Sequence, residues 1–311
     1  VGHGVFHAYG IVPKGSTVTK TAYYGFATFF HEDGRVLEGA GSLRGRSQIA
    51  RALLQEKVFA QLDRADERAQ QQMRIGQPNF FLQFDRRGID PFNQRFEVDL
   101  LAEGTVRGTG GLDVVDRTCA TTVPGLFAAG DAATRERICG GFTGGGSHNS
   151  AWAMSSGTWA GRGAAQAALD AGAVTQGEVF GAGRVGLRPS GSGAVLTAGE
   201  VVSAAQAELL PFDKNYIRDG GRVAPALARL DALWEATSAG LGGVRIERVR
   251  ARQAAAMTAV GRWMYESALA HTESRGMSKR DDYPDLDPAQ HHHILSGGLD
   301  AVWTKPAPVA A

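Results

Sequence analysis

The most chemically suggestive stretch is a short apolar run, Leu126-Phe127-Ala128-Ala129, ending in Gly130-Asp131. A glycine-rich loop from Gly140 to Gly146 follows, and then Ser147-His148-Asn149-Ser150 ahead of a small-residue segment. A strand that ends in glycine lets backbone approach a ligand closely. An acidic side chain at that point can accept hydrogen bonds from ribose or ribityl hydroxyls. The N–H groups and positive dipole end of a following helix favour an anion or a polarised carbonyl. A reduced flavin carries negative charge near N1 and its C2 carbonyl, so a helix start aimed there would stabilise it. The same run also serves as a plain strand–helix turn, and the chemistry alone leaves both readings open.

Other reactive residue types are sparse. Cys119 and Cys139 are the two cysteines, too few for a disulfide scaffold or a CxxC metal site. They read as reduced thiols of a cytoplasmic protein. An iron–sulfur cluster normally takes four ligands, so any such centre would belong to another subunit. His291-His292-His293 has no supporting carboxylates or cysteines and reads as surface loop. Arg135-Glu136-Arg137 reads as a solvated charge cluster, with a phosphate or partner contact as the alternative.

The whole composition narrows the field further. Lys plus Arg number 33 and Asp plus Glu 32, a formal net charge of +1. That balance leaves no electrostatic footprint for nucleic acid or an anionic membrane. No apolar run approaches the roughly 20 residues of a membrane-spanning helix. Glycine is in excess, 42 of 311 residues, against a usual share of about 7%. Without a collagen period, those glycines point to turns and close backbone approach.

The elements that must position these residues follow from pattern. Phe26 to Phe30 and Arg35 to Leu37, joined by Asp33-Gly34, read as two strands about a turn. Ile49, Leu53, Leu54, Val58 and Leu62 recur at three- and four-residue steps, predicting an amphipathic helix within 46–73. Phe80-Phe81-Leu82-Gln83-Phe84 reads as a buried strand. Val123-Pro124-Gly125-Leu126 reads as a tight turn, and Ala151 to Asp170 as a helix with Ser or Asn at its cap. Residues 171–200 read as a loose connection. Helices are expected over Val201–Leu210, Val223–Ala236 and Arg245–His271.

The run Thr122-Val123-Pro124-Gly125-Leu126-Phe127-Ala128-Ala129-Gly130-Asp131 resembles the second flavin-binding segment of the fumarate reductase/succinate dehydrogenase flavoprotein family, as does Gly146-Ser147-His148-Asn149-Ser150. The resemblance implies that Asp131 holds the ribityl chain of FAD, with Gly130, Ser147, Asn149 and Ser150 near the flavin. Phe6-His7-Ala8-Tyr9-Gly10-Ile11 is similar to the family's F-H-P-T-G-I segment, whose histidine binds a substrate carboxylate, which implies that role for His7. Gly45-Arg46-Ser47-Gln48-Ile49-Ala50-Arg51-Ala52 resembles a helix start whose first arginine delivers a proton, which implies that role for Arg46. An exposed helix-start arginine and a core histidine are the alternatives. Glu273-Ser274-Arg275-Gly276, then Arg280-Asp281-Asp282-Tyr283-Pro284, resembles the family's E-S-R-G-A-H-x-R-x-D-Y-P tail.

The departures matter as well. Val106-Arg107-Gly108-Thr109-Gly110-Gly111 stands where the family has H-Y-T-M-G-G, without the histidine. Gly144 to Ser150 stands where the family has N-R-L-G-x-N-S, without the arginine clamp. With Arg107 and His148 as the candidate stand-ins, the pattern points away from fumarate or succinate and towards an adenylylsulfate reductase-like branch.

The fold class implied is α/β: an α+β cap plus part of a Rossmann-like FAD-binding domain, with a helical C-terminal region. The expected segments are the C-terminal part of a substrate-capping domain (1–103), the second FAD segment (104–170), a linker (171–199), and the helical region with its tail (200–311). No G-x-G-x-x-G follows a strand, and the chain begins with Val rather than Met, so it reads as the carboxy-terminal portion of a longer flavoprotein. The function implied is hydride transfer between flavin N5 and a small organic or sulfur-containing acid, with electrons passed to an iron–sulfur or ferredoxin-type subunit. The alternative is a catalytically silent flavoprotein-like fragment or subunit.

Overall fold

A computed structural model describes residues 2–3, 7–18, 21–41, 45–105, 110–135, 146–172, 196–242, 245–276 and 278–307. The chain divides into two compact units, His7–Gly104 with Leu210–Ile217, and Val1–Phe6 with Thr105–Leu209 and Arg218–Ala311.

The first unit is built on a four-stranded sheet. Its strands are β2 (His7–Pro13), β3 (Thr28–Phe30), β4 (Val58–Gln61) and β5 (Phe96–Thr105), in the order β2-β5-β4-β3. Strand β4 is antiparallel to both neighbours, with Phe29 opposite Ala60 and Phe59 opposite Glu97. Phe30 bridges Val36 in antiparallel fashion, so the Asp33-Gly34 turn forms where the sequence places it, with Gly34 at φ +89°.

The single helix expected within 46–73 is instead three elements. Helix α1 (Gly45–Leu53) ends where Gln55 and Glu56 both donate to the Ala52 carbonyl. Strand β4 follows, and then α2 (Glu67–Gly76), capped by Asp66 through the Ala69 N–H. Val58 and Leu62 do fall at helical spacing from Ile49. Burial of alternate residues Val58 and Ala60, between two strands waiting to be paired, overrides that spacing.

Phe80 to Phe84 is a helix rather than a strand: α3, Pro78–Arg87, opens with proline and closes on Gly88 in the left-handed conformation. Phe80, Phe81 and Phe84 lie on one face of it and are buried. Phe80 meets Phe81 edge-on at 5.1 Å, and Phe84 meets Phe96 of the sheet at 4.7 Å. These rings, with Tyr24, Phe29 and Phe92, form the core. The Leu210–Ile217 segment contains the short helix α6 (Phe212–Asn215) and is stitched to β2, because Tyr9 donates to the Leu210 carbonyl at 2.7 Å and packs edge-on against Tyr216.

The second unit opens with a two-residue pairing of β1 (Gly2–His3) and β6 (Gly110–Gly111). Helix α4 (Gly146–Ala171) follows, and then α5 (Ala198–Leu209), α7 (Gly220–Gly240) and α8 (Ile246–Ala270). The last three pack on one another through Ala205, Val223, Leu230, Met264 and Tyr265. Gly261 of α8 permits this, since a Cβ there would lie 3.0 Å from Leu209. The last described elements form an antiparallel hairpin, β7 (His293–Gly297) with β8 (Trp303–Ala307), which the sequence pattern does not predict. Trp263 of α8 donates to the Gly298 carbonyl at 2.6 Å and pins its turn. Helix and sheet are thus mixed, with helices dominating the C-terminal part, as the sequence implies. The expected linker falls largely on residues 173–195, outside the described residues.

Candidate functional site

Strand β6 runs into Leu112, which pairs with the chain leading out of Gly130-Asp131. Leu112 donates to the Ala132 carbonyl at 2.8 Å, and Thr134 donates back to Leu112 at 2.9 Å. A Cβ on Gly111 would lie 2.9 Å from the backbone of Ala132, Ala133 and Thr134, so only glycine lets the two segments approach so closely. Upstream, Val123-Pro124-Gly125-Leu126 is a tight turn, with Leu126 donating to Val123 and Gly125 at φ +80°, the arrangement of a type II turn. The strand expected over Leu126 to Ala129 reduces to a single bridge between Phe127 and Ala120.

The backbone then tightens into a 3-10 turn, Gly130–Ala132, with Gly130 at φ +58°. Both polar groups of the Gly130 backbone are taken by α4. Its N–H donates to Ser156 Oγ, and its carbonyl accepts from Trp152 Nε1, each at 2.9 Å. Ser156 is fully buried and donates in turn to the Trp152 carbonyl. Asp131, next in the chain, is exposed. Further along α4, Gly163 lies against the Thr118–Phe127 segment; a Cβ there would be 2.7 Å from Thr118 Cβ and 2.9 Å from the Phe127 ring.

Helix α4 begins at Gly146, so Ser147, Asn149 and Ser150 lie in its first turns rather than ahead of it. Asn149 is half-buried and accepts a hydrogen bond from Arg135; Ser150 is exposed. The side chains of Ser147 and His148 lie outside the described residues, as do Arg107, Glu136, Arg137 and Cys139. Arg135 corrects the reading of a solvated cluster, because it is buried and tied to the start of α4. Cys119 is buried at φ +60°, and burial together with Asp116 pushes its thiol up.

The remaining candidates belong to the first unit. His7 is the first residue of β2, with its side chain outside the described residues. Arg46 is half-buried at the start of α1. That start is fixed by Gly45, whose absent Cβ would fall 1.8 Å from the Ala40 carbonyl oxygen, and by Ser47, 3.3 Å from the Tyr216 hydroxyl.

Trp152 and Ser156 escape sequence reasoning altogether, because what they hold is backbone. A second unforeseen feature is the polar hub of the tail. Glu273 is fully buried, and its carboxylate accepts from Arg275 Nε at 2.6 Å, Arg275 Nη2 at 3.0 Å and the Asp287 N–H at 2.7 Å, while His271 Nε2 lies 2.9 Å away. Arg275 foremost, against the opposing effect of burial, brings this carboxyl down to about 2. Arg280, also buried, pairs with Asp282 at 2.6 Å, reaches the Ala268 and His271 carbonyls at the C-terminal end of α8, and brings Asp282 to about 2. The tail motif is therefore a clamp on the end of that helix.

Residues 224–305 match the model of the fumarate reductase flavoprotein C-terminal family. Over those residues the chain is similar to the C-terminal region of fumarate reductase-type flavoproteins. It is 39% identical over 93 residues to the L-aspartate oxidase of Rhodospirillum rubrum, which is 29% of each chain. The fold is similar to that of a mutated E. coli quinol fumarate reductase FrdA, at a TM-score of 0.70 and 16% identity, covering 98% of this chain and 58% of that one. It is also similar to adenylylsulfate reductase from Archaeoglobus fulgidus, at a TM-score of 0.65 and 13% identity, covering 98% of this chain and 59% of that one. The chain therefore spans less than two thirds of the proteins it resembles. No described helix is long and apolar enough to cross a membrane, and no group of three metal-ligating side chains occurs among the described residues.

Proposed function

We propose that this chain is part of an FAD-dependent oxidoreductase that moves hydride between flavin N5 and a small organic or sulfur-containing acid. The observation that carries the reading is the Gly130-Asp131 turn clasped by Trp152 and Ser156 of α4, which holds an exposed carboxylate on a fixed backbone. These residues fit a flavin nucleotide. The left-handed Gly130 has nothing closer than 3.9 Å to the Cβ it lacks, and the exposed Asp131 accepts hydroxyl hydrogen bonds from the ribityl chain. Asn149, held by Arg135, and Ser150 stand in the first turns of a 26-residue helix, whose N–H groups and dipole favour negative charge. FAD, when bound, supplies the two-electron chemistry.

The chain's own residues supply the rest. His7 binds a carboxylate of the acid. Arg46 handles the proton; because a guanidinium gives up its proton so reluctantly, it does so only as one member of a desolvated relay. Electrons leave to an iron–sulfur or ferredoxin-type subunit.

The test uses the intact native protein. Asp131→Ala removes a charged acceptor worth about 1.5–3 kcal/mol, so the FAD dissociation constant, read by flavin fluorescence, should rise about tenfold to a hundredfold. Unchanged affinity would remove Asp131 from the site. Anaerobic bleaching of the flavin by succinate, L-aspartate or sulfite would support turnover. Bound flavin that none of the three reduces would favour the silent-subunit reading.

A further inference from the structure

Helix α8 buries Ala251, Ala254, Ala255 and Ala259 and leaves its other side open. On the open side Ile246, Val249 and Met257 are each 46% exposed or more. Ile246, Val249, Gln253, Ala256 and Val260 follow one another at steps of three, four, three and four residues, the spacing of a coiled-coil seam. Arg245 and Arg252 line one edge of that seam, and Arg250 the other. From 245 to 252 there are four arginines and one glutamate. Glu247 pairs with Arg250 at 2.9 Å, and among the described residues no carboxylate pairs with Arg245, Arg248 or Arg252.

This arrangement works against the helix that carries it. Cations in the first turns oppose the positive end of the dipole, and Arg248 and Arg252 repel each other at i,i+4. Arg245 itself sits at φ +51° as an N-cap without a side-chain hydrogen bond. A carboxylate-bearing partner would relieve the charge costs.

We propose that the outer face of α8 docks an amphipathic helix of another polypeptide, with an aliphatic seam flanked by Asp and Glu. The chemistry favours this occupant over others. Two copies of this face would set arginine against arginine. An acyl-chain layer would have to accept Gln253 in mid-seam, where a coiled-coil partner uses such a polar residue to fix register. The buried alanine face also prevents the helix from sinking into a bilayer as an isolated amphipathic helix does.

A photo-crosslinking residue at Val249, in the intact protein expressed in its native cells, tests the idea. The expected adduct is a peptide from a different polypeptide, rich in Asp and Glu around aliphatic residues at three- and four-residue spacing. Its yield should fall about tenfold in R245E/R252E, while circular dichroism shows an undiminished melting temperature, since glutamates suit the start of a helix. A lipid adduct, an adduct to this chain or a second copy of it, a non-acidic peptide, no adduct, or a yield unmoved by charge reversal would each overturn the proposal.

Discussion

At Gly130 the arrangement depends on two side chains whose hydrogen bonds go to backbone groups. Ser156→Ala would leave the part-buried Gly130 N–H without its acceptor. The expected cost is about 1–3 kcal/mol, measurable as a lowered urea midpoint. Trp152→Phe keeps most of the ring but loses the hydrogen bond to the Gly130 carbonyl, at a cost of about 1 kcal/mol. Wild-type midpoints in both variants would mean that the clasp does not hold the turn. Residue by residue, the sequence was uneven as a guide. Gly130-Asp131 stands out through its place between an apolar run and a glycine-rich loop that leads into a helix, and not through its residue types, which are those of any ordinary turn. Trp152 and Ser156 do not stand out, because their partner is a main-chain group 22 and 26 residues away, which no side-chain pattern records. Arg135 was misread for a related reason, since a sequence displays charge but not burial.

At the level of elements, spacing was informative where one face of a segment is buried and misleading where two patterns coincide. The long helices of the carboxy-terminal part were legible because their apolar positions repeat over many turns. Phe80 to Phe84 was ambiguous, since a run of aromatics is expected of both a buried strand and a helix facing a crowded core. The decisive signals lay outside the run, in Pro78 and Gly88. Helix α4 offers a test of how far local preference governs such an element. Gly157 and Gly161 have open space where a Cβ would go, whereas a Cβ on Gly163 would meet Thr118 and Phe127 below 3 Å. Gly157→Ala and Gly161→Ala should therefore each stabilise by up to about 1 kcal/mol, the intrinsic helix preference. Gly163→Ala should destabilise by about 1–3 kcal/mol through overpacking. Urea unfolding of the three variants would show the change of sign along a single helix; three changes of the same sign would contradict the close approach at Gly163.

Across the whole molecule, the net charge of +1 gives little reason for acid to expand the chain until many carboxylates are protonated. Two particular carboxyls decide the matter sooner. Glu273 and Asp282 both titrate at about 2 in the folded protein, below ordinary values of 4.5 and 3.8, chiefly through Arg275 and Arg280 respectively. A depressed folded pKa means that the unfolded chain takes up the proton first. Their contribution is therefore complete above about pH 5 and is withdrawn as the pH falls towards 2. Both belong to the unit that contains Arg218–Ala311, and so do all five tryptophans of the chain, Trp152, Trp159, Trp234, Trp263 and Trp303. Tryptophan fluorescence should thus report a loss of stability over that interval. In Glu273→Gln the dependence should be shallower, from a starting stability lowered by about 1–3 kcal/mol because the half-buried Arg275 is left beside a neutral amide. The family resemblance identified Glu273 and Arg275 as a motif without giving its purpose. Equal pH slopes in wild type and Glu273→Gln would show that the buried carboxylate is not what holds the tail to the end of α8.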